Sequence, residues 1–190
     1  MSSESCCKYP FRSGAFGLTM CVMHAGASST TFSNNTSKFN GGDIAVLGNA
    51  NMHVIGATFS GGVATESGGS IYTESNITLE ECTITGAKVT KNSGGAIYVD
   101  RGAASIVNSK LYANEAYAGG AVAASKTAVV SIQGSHFANN MAEGSGGAVH
   151  AELNVQLYIL PSAKLAPGMS AGCGRARPRG RGCGCEIEAI

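Results

Sequence analysis

The chain has 190 residues, enough for one domain with a sizeable core. Charged residues make up only 13% and hydrophobic residues 44%, which excludes a disordered charged chain, and no run of 18 apolar residues exists to span a membrane as a helix. The net charge of +1 divides into +1 over residues 1–12, −2 over 13–165 (nine acids, seven bases) and +2 over 166–190 (four Arg, two Glu), so no strong field draws nucleic acid or an anionic membrane to the body.

The opening residues, MSSESCCKYPFRSG, show no charged segment followed by an apolar one, so no secretion signal is expected, and 1–12 read as a lead-in. From residue 13 a unit repeats. A degenerate first copy, SGAF at 13–16, is followed by GGDI at 41–44, GGSI at 68–71, GGAI at 94–97, GGAV at 119–122 and GGAV at 146–149, spaced 27, 26, 25 and 27 apart from the second copy on. A second column keeps pace: Phe32, Phe59, Ile84, Leu111 and Phe137. Two residues before each stands something small: Thr30, Ala57, Cys82, Ser109, Ser135. Five before stand Ala27, Val54, Leu79, Ile106 and Ile132, and seven before Ala25, Met52, Ile77, Ala104 and Val130.

Spacings of two are strand periodicity. Each unit of roughly 26 residues therefore predicts three short strands and three bends. Such a unit cannot bury its apolar face alone and must stack on its neighbours. The expected fold is all-β: a right-handed parallel β-helix, a pectin-lyase-like solenoid of about six coils over residues 13–160, its handedness following the general crossover preference. Glycine, 27 residues against four prolines, fits its tight corners. In a last coil Leu157 and Ile159 fit their columns, then Pro161 interrupts and Lys164 falls where Phe or Leu is expected. Residues 161–190, rich in Gly, Arg, Pro and Cys, read as a disordered tail. Neither end shows a polar cap, so stacking on a longer solenoid or self-association through the ends is expected.

The repeats resemble those of the chlamydial polymorphic outer membrane proteins, marked by GGA[ILV] and FxxN. GGAI at 94–97 and GGAV at 119–122 and 146–149 match the first motif, FSNN at 32–35 and FANN at 137–140 match the second, and LYAN at 111–114 nearly does. FSGG at 59–62 and ITGA at 84–87 lack the Asn. The resemblance covers residues 13–160. It implies a surface-exposed autotransporter passenger acting in adhesion, with Phe32, Asn35, Leu111, Asn114, Phe137 and Asn140 as the binding motifs. It also implies an extracellular or outer-membrane location. The barrel that follows such passengers has no counterpart after residue 160. The residues alone assign Asn35, Asn114 and Asn140 a structural role, because Asn tolerates a tight turn and bonds the chain around it.

Other chemistry is sparse. Asp43 and Asp100 lie two coils apart at different offsets, and Glu80 and Glu81 point to opposite faces of a strand, so no carboxylate pair or cluster is expected. Asp100–Arg101 is the acid–base couple to examine, and a solvated turn accounts for it. His24 and His53, each in a Met-His pair, differ in offset by two and are expected not to form a metal site, while His136 and His150 have no expected partner. Seven cysteines share no repeating spacing, which gives neither a disulfide framework nor a zinc pattern, and Cys82 reads as an inert core residue. No cofactor, no metal and no catalysis are expected. The expected function is binding of a protein or glycan by a surface or extracellular β-helix, in a fragment of a longer passenger. The alternatives are a polysaccharide lyase or epimerase and a structural spacer.

Overall fold

In the computed structural model, residues 16–18, 21–23, 30–152, 154–160, 163–165, 171–173 and 186–189 are described. Every element in them is a strand, and every strand pair is parallel. The strands fall into four sheets of seven, seven, six and five strands, called I to IV in the order the chain visits them. One turn shows the plan: Ile97–Val99 in sheet I, Ala103–Val107 in sheet II, Lys110–Tyr112 in sheet III and Glu115–Ala118 in sheet IV. Among the described residues, five turns contribute to all four sheets, a sixth to three and a seventh to two. The molecule is a right-handed parallel β-helix of about five turns.

The columns read from the sequence are its internal ladders. Phe32, Phe59, Ile84, Leu111 and Phe137 pair in succession along sheet III. Met52, Ile77, Ala104 and Val130 pair in sheet II, as do Val54, Leu79, Ile106 and Ile132. Both sheet II columns are buried, while the residues between them are at least partly exposed. That alternation is what a pleated strand with one face on a core produces. The inward side chains form one continuous apolar cluster from Ile44 to Leu157. Inside it the rings of Phe32 and Phe59 stack with centroids 4.7 Å apart.

Three expectations are corrected. Each turn has four strands, not three. The fourth, such as Val63–Ala64, is only two residues long in several turns, too short for its alternation to stand out. In the first turn it is Cys21 and Met23 that pair in register with Met52 and Val54 of sheet II, the positions expected of Ala25 and Ala27, which lie outside the described residues. The path from Met23 to Phe32 is nine residues (32 − 23), against five from Val54 to Phe59 (59 − 54), so counting backward from Phe32 misplaces the strand. Lys164 pairs with His136 on the outer column, and Leu165 takes the place opposite Phe137. Ile159 to Leu165 spans six residues where Ile132 to Phe137 spans five, so the count from the sheet II column slips by one.

The parallel ladder continues past residue 160: Lys164–Leu165, Ala171–Cys173 and Glu186–Ala189 pair with the strands before them. The remainder of 161–190, and the lead-in 1–12, lie outside the described residues.

The glycine pair does two different jobs. The first member, as in Gly94 with φ +74°, takes the left-handed region, where a Cβ would also press within 2.4 Å of the Ile97 carbonyl oxygen. The second member has no such φ. A Cβ on Gly95 would sit 2.1 Å from the carbonyl oxygen of Gly120, its counterpart one turn on, and Gly42 and Gly69 meet their counterparts at the same distance. The second glycines thus form a column in which backbone packs on backbone.

Candidate functional site

The corner after sheet III carries the FxxN motifs, and its two asparagine columns separate two functions. The first column, two residues after Phe32 and its equivalents, holds Asn34, Gly61, Gly86, Ala113 and Asn139, all at φ between +53° and +65°. Here the chain needs the left-handed turn that Asn and Gly enter most easily. The second column holds Asn35, Gly62, Ala87, Asn114 and Asn140.

Asn114 and Asn140 are 0% and 8% exposed and bond the turn before them. Asn140 Nδ2 donates to the Leu111 carbonyl at 2.9 Å, and its Oδ1 accepts from Asn114 N at 3.1 Å and Asn114 Nδ2 at 2.9 Å. Asn114 repeats the arrangement one turn earlier, donating to the Ile84 carbonyl at 3.2 Å and accepting from Ala87 N at 2.9 Å. Each amide satisfies one backbone donor and one acceptor that the corner would otherwise strand away from water. Leu111 and Phe137 are buried beside them. Of the six motif residues only Phe32 and Asn35 are partly exposed, and Asn35 Nδ2 donates to Asp43 Oδ1 at 2.8 Å. The other four present no side chain to a ligand in this structure.

A parallel hydroxyl ladder runs through the small column. Ser109 Oγ accepts from Cys82 N and Ser135 Oγ from Ser109 N, both at 3.0 Å. Cys82 lies inside it, its thiol directed at the carbonyls of Glu80 and Val54, and burial pushes the thiol pKa up, away from a reactive thiolate.

Asp100 and Arg101 do not form a free acid–base couple. Asp100 Oδ2 receives Lys126 Nζ from the next turn and Arg101 Nε at 3.4 Å, and Arg101 also reaches Glu74 on the preceding turn at 3.7 Å. Ser125 Oγ lies 3.3 Å from the Asp100 carbonyl and accepts the Tyr98 hydroxyl at 3.0 Å. The couple is part of a network tying three successive turns. His53 Nε2 lies 3.3 Å from Glu80 Oε2 across neighbouring strands, while His24 lies outside the described residues. His150, expected to be alone, meets Ser145 Oγ through Nδ1 at 3.0 Å, and burial lowers its pKa against the opposing pull of Glu152. Among the described residues no group of three His, Cys, Asp or Glu is placed to hold a metal ion.

Two features escaped the reading of the sequence. Tyr72 and Tyr98 lie on the outer side of sheet I yet are buried, stacked with centroids 5.8 Å apart, and burial raises both phenol pKa values. Their signal is a Tyr in the middle of two successive GGxIYx units. On the outer faces of sheets III and IV, Tyr112, Tyr117 and Met141 are exposed, the last two by 59% and 56%. Tyr112 stands where earlier turns carry Ser60 and Thr85, Met141 pairs with Glu115, and Gly144 lies against the Tyr117 ring. At Tyr112 the available sign was a large side chain in an outward column that holds Ser60 and Thr85 in earlier turns.

A parallel solenoid held by internal amide, hydroxyl and ring ladders is a repeat-built β-helix. The chain belongs to the right handed beta helix region family, which it matches over residues 17–158. No curated protein and no solved structure matches it. No helix among the described residues is long and apolar enough to cross a membrane.

Proposed function

We propose that this β-helix works by binding, as a non-catalytic surface or extracellular protein that holds a protein or glycan ligand on the outer side of its later turns. The observation that carries the reading is the group of exposed Tyr112, Tyr117 and Met141 on two neighbouring turns. Aromatic and Met side chains are the residues interfaces use most, and here they sit on rigid strands. Three of the acids are held in ion pairs, Asp100 by Lys126 and Arg101, Glu115 by Lys88 at 2.9 Å and Glu66 by Lys91 at 3.1 Å, which argues against their serving a polysaccharide lyase. The GGA[ILV] and FxxN repeats favour the polymorphic outer membrane protein type of passenger, in which such a solenoid is an adhesin. The test is binding of the purified chain to arrayed glycans and to cultured epithelial cells. Loss of at least about tenfold, ~1.4 kcal/mol, on Tyr117→Ala with Met141→Ala supports the reading. Turnover of pectate or alginate, with or without calcium, that disappears in Asp100→Ala would overturn it.

A further inference from the structure

Asp43 and Ser70 occupy the same column, one residue past their glycine pairs, and are 1% and 0% exposed. Among the described residues, Asp43 Oδ2 and Ser70 Oγ are the buried side-chain atoms without a hydrogen-bond partner. Both converge on one place, the side-chain side of Gly62. A Cβ built there would lie 2.5 Å from Asp43 Oδ2, 2.7 Å from the Gly69 carbonyl oxygen and 2.8 Å from Ser70 Oγ. Gly62 stands where later turns carry Asn114 and Asn140, and those turns carry Ala96, Ala121 and Ala148 in the Asp43 column. An acid side chain therefore fills the corner that an amide fills further along.

As a carboxylate this group would hold a full charge away from water with no cation beside it among the described residues, accepting from Asn35 Nδ2 at 2.8 Å and with the Ser70 hydroxyl as the one further side-chain donor nearby. As a carboxylic acid it loses the charge and adds a second donor beside the Ser70 hydroxyl, and the Gly69 carbonyl, which accepts from Gly42 N at 3.0 Å, keeps a lone pair for it. We propose that Asp43 is held as a neutral acid whose Oδ2–H donates into the Gly69 carbonyl and Ser70 hydroxyl pair, so that a proton closes the second turn of the solenoid. This is independent of the binding reading above. Burial raises the pKa of Asp43, and the neighbouring Asn35 and Ser70 offset part of that rise. The groups facing it from the three packed segments are Asn35, Gly62 and Ser70, all uncharged. Glu66 on the next bend is held by Lys91, and Lys38 is exposed. Residues 13–15 of the preceding turn lie outside the described residues.

The sign follows from linkage. A carboxyl whose folded pKa lies above its unfolded value favours folding fully below the unfolded value, about 3.9. That contribution is lost as pH rises through the folded value, when the proton leaves to solvent and the carboxylate stays buried. The experiment is a carboxyl-carbon NMR titration of Asp43 in the folded full chain, paired with urea unfolding of wild type and Asp43→Asn across the same pH range. Titration above the ordinary aspartate range, with a fall in the unfolding midpoint from acid to neutral pH that Asp43→Asn flattens, is the expected result. An Asp43 resonance already ionised at the ordinary aspartate pH, or an unchanged pH slope in Asp43→Asn, overturns it. If Asp43→Asn does not fold, the wild-type titration decides alone.

Discussion

The same corner is built in two ways along one solenoid. In the later turns, Asn114 and Asn140 form a continuous amide ladder in which each side chain answers a backbone donor and acceptor of the turn before. In the earlier turns Gly62 and Ala87 offer no amide, and Asp43 stands at the corner, its Oδ1 accepting from Asn35 Nδ2 while its Oδ2 lies with Ser70 Oγ beside Gly62. Both regions keep the same backbone path, the same left-handed residue before the corner and the same apolar columns. A β-helix thus fixes the path through glycine and apolar stacking, and leaves the polar corner free to be satisfied by any group with the right donors and acceptors. The later corner is charge-neutral at every pH; the earlier one contains an ionisable acid.

The sharpest break is to the feature both regions share. Gly95→Ala places a methyl 2.1 Å from the Gly120 carbonyl oxygen and 2.7 Å from Glu115 N, both backbone, so the turns must part. A loss of more than about 4 kcal/mol is expected in chemical denaturation. Gly56→Ala, with nothing within 4 Å and only φ +65° to tolerate, should cost about 1–2 kcal/mol. Equal losses at the two sites would show that packing between second glycines does not hold the turns together.

Asn114→Ala tests the amide ladder. It strands Ala87 N–H and the Ile84 carbonyl and removes one of the two donors to Asn140 Oδ1, the backbone N–H of residue 114 remaining, at an expected cost of about 2–3 kcal/mol. Replacement at Asn34, on the exposed turn, should cost less. The converse change, Ala87→Asn, would carry the ladder one rung toward the earlier turns and should add about 1 kcal/mol of stability by the same measurement. A loss instead would show that the space beside Gly62 is already filled by Asp43 and Ser70.

The smallest test concerns pH at the far end. Burial holds His150 below its ordinary pKa of 6.5, so the unfolded chain binds the proton more readily. The contribution of neutral His150 is complete above 6.5 and is lost as pH falls through the folded value, the opposite sense to Asp43. Amide hydrogen exchange resolved by turn should therefore show acid loosening the strand Val149–Ala151 and neutral pH loosening the turn around Ser70. A uniform response along the rod would contradict the contrast between the two regions.

Much of this was written in the repeat. Spacings of two within a unit, and of 25 to 27 between units, determined strands, parallel stacking and the membership of the inner columns, because each inward side chain must meet its equivalent one turn away. The structural role of Asn114 and Asn140 was legible too, from an amide recurring three residues after an apolar column. What the tertiary structure alone decided was where the count slips and what each polar group meets. The nine positions from Met23 to Phe32, the six from Ile159 to Leu165 and the two-residue strands of sheet IV depart from the spacing of the other turns and leave no period to read. The meeting of Asp43 with Ser70 beside Gly62, of Asp100 with Lys126, and of Tyr72 with Tyr98 joins residues some 26 positions apart. Periodicity says that such residues are neighbours, but which atoms face each other depends on side-chain direction and burial, and those exist only once the turns are stacked.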